Sequence, residues 1–188
     1  MNCAYLAFTG RGLALAQQLA AACPGPVARC GTGGPGLDEW TAAQFAASDA
    51  LIYIGAVGIA VRAIAPYCRS KAADPAVVVL DECGRFAVPL LSGHLGGANA
   101  LARRLAAVCG AVPVITTATD LHGLFAVDEW AKRQGCIVAE PERIKQVSGA
   151  LLAGKRVHFT ADWPIQGTPP AGVQPAAGGC ADFALTLT

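Results

Sequence analysis

Residues 74–99 read DPAVVVLDECGRFAVPLLSGHLGGAN, and this stretch decides the fold class. Its apolar run at 76–80 is rich in β-branched residues, as strands buried on both faces of a sheet are. The turn at 82–85 leads to a second predicted strand at 86–91. Glycines then precede a helix from Ala98, whose apolar residues recur at spacings of three and four. Strand, glycine-rich turn and amphipathic helix are the repeating parts of an α/β fold.

The same alternation continues on both sides of this stretch. We predict strands at 3–8, 27–29, 50–54, 112–116, 136–139, 157–161 and 181–187, with helices after Gly12, at 37–47, after Gly58, at 127–134 and at 144–152. The predicted fold class is α/β: a mostly parallel sheet with helices on both faces, Rossmann-like and three-layered, plus a small α/β satellite domain. We expect residues 1–122 to form the N-terminal α/β domain. Residues 123–188 form the small middle domain, in which a Pro/Gly-rich connection at 164–181 precedes an edge strand.

Composition excludes several classes of partner. The 188 residues carry 14 basic and 13 acidic side chains, a net charge of +1, and no basic run, so we expect no nucleic-acid and no membrane partner. No apolar segment reaches the roughly 20 residues that cross a bilayer. The first basic residue is Arg11, which argues against a secretory signal. The expected location is therefore the cytoplasm.

Two familiar kinds of site are poorly supported. None of the eight cysteines forms a C-x-x-C pair and no two of the three histidines are spaced i, i+4, so we predict no metal site. Gly10 and Gly12 begin a dinucleotide fingerprint, but Leu15 stands at its third glycine position and no acidic residue follows the second strand. We therefore interpret this segment as a tight turn before a helix. Binding of a nicotinamide cofactor or a nucleotide sugar stays the weaker alternative.

Three loops rich in glycine or short polar side chains follow predicted strands. The first, at 92–99, holds Ser92 and His94 before a helix N-terminus, where anions bind readily, although a capped turn would look the same. The second, at 55–62, ends in Arg62, which can bind a carboxylate or be solvated. The third, at 116–120, also fits Asx and Ser/Thr turns. Because open α/β sheets bind ligands at strand carboxyl ends, we expect all three loops to meet in one crevice.

Four motifs carry a resemblance to a known family. The chain resembles cobalt-precorrin-5A hydrolase, the protein designated G in the anaerobic pathway of cobalamin biosynthesis. The resemblance lies in the segments 54–66, 74–81, 91–99 and 115–120, followed by 123–130. The resemblance implies a hydrolase acting on a carbon–carbon bond. It would open the ring A δ-lactone of a cobalt-containing tetrapyrrole and release acetaldehyde, giving cobalt-precorrin-5B. It also implies no cofactor, since the cobalt is carried by the substrate.

Family members usually have a further C-terminal domain, and this sequence ends where that domain would begin. We therefore expect a separate C-terminal domain or another enzyme of the cobalamin pathway as a partner. A non-catalytic tetrapyrrole-binding module that needs such a domain for turnover is the alternative function.

Roles for individual residues come from chemistry and position. We assign His94 as the general base that activates water, backbone N–H groups from Gly93 to Gly97 as the oxyanion site, and Ser92 as the alternative nucleophile. The predicted substrate-binding residues have small, polar or charged side chains in the three loops or at the start of the next helix. They are Gly55, Gly58, Arg62, Gly93, Gly96, Gly97, Asn99, Thr116, Thr117, Thr119, Asp120 and Asp128.

Overall fold

The fold is described from a computed structural model, which covers residues 1–31, 33–70, 73–178 and 180–187. The chain divides into two compact units, Met1–Ile115 and Thr116–Thr188, here called the large and the small unit. The domain boundary expected after residue 122 stays a prediction.

The large unit is a six-stranded sheet in the order β2-β1-β3-β4-β5-β6. Strands β1 to β4 are parallel, β5 is antiparallel to β4, and β6 is parallel to β5. The predicted mostly parallel sheet is thus confirmed. The elements are β1 (Cys3–Ala7), α1 (Gly10–Ala22), β2 (Val27–Arg29), α2 (Leu37–Ala47), β3 (Ala50–Ile54), α3 (Val57–Ile64), β4 (Ala76–Leu80), β5 (Phe86–Leu91), α4 (Ala98–Cys109) and β6 (Val112–Pro113).

Helices cover both faces of this sheet, as predicted. Alternate residues of β1, β3 and β4 pack against α1 and α4 on one face and against α2 and α3 on the other. All residues of these three strands are buried, which explains why the strands are continuously apolar. The phenol of Tyr53 lies in the second layer, 2.9 Å from the Thr41 hydroxyl. Burial raises the pKa of Tyr53 to about 12, so the phenol stays neutral.

The small unit also has α/β structure. It contains α5 (Ala118–Leu121), α6 (Val127–Arg133), α7 (Ile144–Leu152), β7 (Val157–Ala161), β8 (Val173–Pro175) and β9 (Phe183–Leu185). Its strands form a parallel sheet in the order β8-β7-β9. Val147 and Leu151 of α7 pack against Val157 and Val173 to form its core. Among the described residues of both units, no helix has the length and apolar character needed to traverse a bilayer.

Two details of the small unit differ from the sequence prediction. The described residues 136–139 form no strand, and Ile137 is 93% exposed because no other strand pairs with this segment. Conversely, β8 lies inside the segment at 164–181 that was predicted to be a connection. Its only β-branched residue is Val173, and Pro175 is tolerated because β8 is an edge strand.

Candidate functional site

The loop from Ser92 to Asn99, here called the β5–α4 loop, begins with a residue in a left-handed conformation. The φ angle of Ser92 is +55°, which is uncommon for a residue other than glycine. The buried Ser92 side chain donates a hydrogen bond of 2.9 Å from Oγ to the carbonyl oxygen of Asp74. This bond helps to hold the strained turn, and strain of this kind is concentrated at functional sites.

Close packing explains two glycines of the β5–α4 loop, and a left-handed backbone conformation explains a third. A Cβ on Gly93 would lie 2.9 Å from Oδ1 of Asn99, and one on Gly96 would contact the Ser92 side chain and lie 2.7 Å from its carbonyl oxygen. Gly97 has φ +87° and caps α4. The glycine-rich sequence therefore serves a tightly folded turn, whatever it binds.

The start of α4 is partly used by the loop itself. The amide of Ala98 donates to the carbonyl of Ser92 at 3.1 Å, and the amide of Asn99 donates to that of Gly93 at 3.0 Å. These two donors are engaged within the protein. An anion at this helix start would therefore have to use other groups of the loop, among which His94 is the ionisable one and is half-buried.

Asp74 is a site-organising residue that the sequence analysis did not assign. Its carboxylate oxygens both lie 3.0 Å from the amide of Arg69, while its carbonyl accepts the Ser92 hydroxyl. The residue is buried directly before β4. The Asp74-Pro75 pair could have indicated this role in the sequence, since an aspartate before a proline commonly organises a turn through its side chain.

A second cluster of predicted residues surrounds the start of α3. Gly55 lies against the ring of Phe8, where a Cβ would be 2.6 Å from Cδ2. In the described structure no side chain caps this helix start. The guanidinium of Arg62 lies beside Gly58, with Nη1 3.8 Å from the position of a Cβ there. An uncapped helix start next to a guanidinium suits a carboxylate.

The two clusters lie at opposite edges of the large sheet. Gly55 follows β3 at the edge where β1, β3 and β4 end, whereas β5 runs antiparallel to β4 and brings Leu91 beside Val77, near the start of β4. The edges are separated by the five residues of β3, roughly 16 Å. The expectation that the loop at 55–62 shares one crevice with the β5–α4 loop is therefore wrong, and the reversed direction of β5 is the reason.

The third predicted loop belongs to the small unit. Thr116 is its first residue, and the hydroxyl of Thr117 donates to Oδ2 of Asp120 at 2.6 Å around the short helix α5. Thr119 is buried, and Asp128 is buried in the first turn of α6. The Thr117–Asp120 bond is the local turn chemistry that the sequence also allowed.

Two family models match consecutive parts of the chain. The model described as "Cobalamin synthesis G N-terminal" matches residues 39–120, which include β3 to α4 and both clusters of the large unit. The model described as "Cobalamin biosynthesis central region" matches residues 125–176. The chain belongs to the cobalamin synthesis G family. The N-terminal match lies mostly in the large unit, and the central match lies in the small unit.

Relatives and a solved structure agree with this family. The chain is 43% identical to the cobalt-precorrin-5A hydrolase of Salmonella typhimurium over 82% of its own length and 46% of the relative's. It is 38% identical to the enzyme of that name from Priestia megaterium, over 66% of this chain and 35% of that one. It thus spans less than half of either relative. The crystal structure of a cobalamin biosynthesis protein G homolog from Sulfolobus solfataricus has the same fold, with a TM-score of 0.60, 20% identity, and coverage of 98% of this chain and 58% of that chain.

Proposed function

We propose that this chain acts on cobalt-precorrin-5A, opening its ring A δ-lactone and releasing acetaldehyde to give cobalt-precorrin-5B. The observation that carries the proposal is the 43% identity to a cobalt-precorrin-5A hydrolase over most of this chain. The substrate is a cobalt-bearing tetrapyrrole, and the cobalt enters with it.

The β5–α4 loop supplies the groups for the hydrolytic step. In the proposed reaction His94 takes a proton from water as the water oxygen adds to the lactone carbonyl, and donors of the loop stabilise the oxyanion. The carbonyl–oxygen bond of the lactone ring then breaks, leaving a carboxylate and an alcohol. When that alcohol loses its proton, the bond between its carbon and the macrocycle breaks, acetaldehyde leaves, and the electron pair passes to the macrocycle.

Ser92 has a supporting role in this proposal. Its hydroxyl is buried and donates to the Asp74 carbonyl, so nucleophilic attack by Ser92 would first require that bond to break. This favours His94 and water over the alternative in which Ser92 attacks the lactone. Gly93, Gly96, Gly97 and Asn99 shape the loop around them.

The remaining predicted residues contact the substrate in this proposal, and Arg62 binds one of its carboxylate arms. Gly55, Gly58 and Arg62 form a contact separate from the β5–α4 loop, because they lie at the other edge of the sheet. In the small unit, the hydroxyls of Thr116, Thr117 and Thr119 can donate hydrogen bonds to a substrate carboxylate. The carboxylates of Asp120 and Asp128 can accept hydrogen bonds from other polar groups of the substrate. A partner domain or a second enzyme of the pathway completes the assembly if turnover needs it.

Acetaldehyde release from cobalt-precorrin-5A tests the proposal. The wild-type chain should release acetaldehyde, and His94→Ala should lower kcat about 100-fold or more, the usual contribution of a general base. His158→Ala is the matched control, since His158 lies on β7 beside Asp182 and should keep wild-type turnover. Full activity in His94→Ala would refute the assigned base. Substrate binding without acetaldehyde, even after adding the rest of a relative's chain, would leave only a tetrapyrrole-binding module.

A further inference from the structure

The small unit contains a half-open cavity of about 530 Å³, lined mostly by apolar residues, that the catalytic proposal does not use. This volume is within the range of small-molecule sites in proteins. Its walls consist mainly of aromatic side chains and prolines. The aromatic residues are Phe125, Trp130, Phe159, Trp163 and Phe183.

Three of the aromatic rings form a nearly parallel stack. Phe183 stacks between Phe125 and Phe159, with ring centroids 6.0 and 5.9 Å apart and interplanar angles of 24° and 23°. Trp130 lies beside Phe125 at a centroid distance of 6.3 Å. These rings give the cavity an aromatic lining, which favours contact with an apolar, polarizable ligand.

The charge of the lining restricts the ligand further. The described lining contains no Asp, Glu, Lys, Arg or His side chain. The polar lining residues Gln134, Gln166 and Thr168 are exposed, whereas Val173 is buried. Charged groups of a ligand would therefore stay in water while an apolar, planar part entered the cavity.

From these observations we infer that the cavity binds the apolar face of the tetrapyrrole macrocycle, with its methyl groups inside and its carboxylate arms outside. This inference rests on the proposed function, since that function supplies a ligand with a large apolar ring system and with its carboxylates attached at the periphery. The small unit would thereby act as a substrate-holding element in its own right.

Calorimetric titration of the whole chain with cobyrinic acid, a cobalt corrin with seven carboxylates, tests the inference. The wild-type chain should bind this probe, and Ile165→Asp should weaken binding roughly tenfold or more, because it places a carboxylate among apolar groups. Ile165 lines the cavity and is 40% exposed, so its replacement should leave folding intact.

Leu152→Asp is the matched control. Leu152 is 43% exposed, lies in the same unit and does not line the cavity, so this variant should bind the probe as the wild type does. Trp163→Ala, which removes one wall, should also weaken binding. Equal affinity in Ile165→Asp and the wild type, or no binding by the wild type, would overturn the inference.

The acetaldehyde assay separates this inference from the proposed function. If the chain turns over cobalt-precorrin-5A and Ile165→Asp leaves KM unchanged, the cavity is not the binding site while the proposed activity stands. If the probe binds in a way that depends on Ile165 but no acetaldehyde forms, the cavity assignment stands and the activity fails.

Discussion

Gly96 shows why the β5–α4 loop has the sequence it has. Any side chain there would collide with Ser92, and Ser92 itself is held with a positive φ by its hydrogen bond to Asp74. The glycines place the loop backbone close together, and His94 emerges from that backbone. The close packing of the neighbouring residues thus sets the position of His94, the proposed base.

Replacing Gly96 by alanine should destabilise the large unit by about 2 kcal/mol, since the added methyl overpacks the turn. Gly58→Ala is the control in the same unit. A Cβ there meets nothing closer than Arg62 at 3.8 Å, so its effect should stay within about 1 kcal/mol. Urea unfolding followed by circular dichroism measures both. Equal unfolding midpoints for the two variants would contradict the packing argument.

At the scale of elements, the turn between β4 and β5 decides where the β5–α4 loop lies. Both oxygens of the Asp81 carboxylate accept backbone hydrogen bonds there, from the amides of Cys83, Arg85 and Phe86 at 2.8–2.9 Å. Gly84 completes the turn with φ +66°. This side chain therefore supports the reversal that sends β5 to the opposite edge of the sheet.

Asp81→Ala should lower the free energy of unfolding of the large unit by about 1–3 kcal/mol, because three amides lose a charged acceptor. Asp81→Asn keeps one acceptor oxygen and should lose less. The order wild type, Asn, Ala in urea midpoints checks this account. An alanine variant as stable as the wild type would show that the carboxylate does not support the turn.

The sequence already contained the evidence against a shared crevice. The five-residue connection at 81–85 can join only antiparallel strands, because a parallel pair needs a crossover of a dozen or more residues. The turn was predicted, but its consequence for the direction of β5 was not applied to Ser92. Pro89 is a second sequence signal, because a proline inside a strand indicates a bulge or an unpaired edge. In the structure the β4–β5 pairing changes register near Pro89, and β6 pairs with β5 only at Phe86 and Ala87.

At the scale of the whole molecule, the two units should differ in stability. Strands β1, β3 and β4 are entirely buried, whereas most residues of β7 are partly exposed and its core is small. Larger cores give stronger protection against local opening. We therefore expect backbone amides of β3 to exchange with deuterium more slowly than those of β7. Mass spectrometry of peptides from the intact chain measures this, and equal protection of both strands would contradict it.

The sequence by itself determined the elements of the large unit and the fold class, because apolar periodicity, turn residues and glycine positions act locally. It reproduced the bounds of α2, β3, β4, β5, α7 and β7. The glycine and polar residues of the β5–α4 loop also predicted that this loop is a candidate site. The strand predicted at 136–139 is wrong because an apolar run becomes a strand only when another strand pairs with it. Strand β8 was missed because pairing with β7 makes a strand of a segment that is not itself rich in β-branched residues.

Only the tertiary structure decided which edge of the sheet each loop of the large unit occupies and that Asp74 holds Ser92. It also decided that aromatic side chains from distant segments of the small unit line one cavity. These features depend on strand direction and on contacts between residues far apart in the chain. Local physical chemistry sets the conformation of each segment, but such contacts form only when the segments pack together.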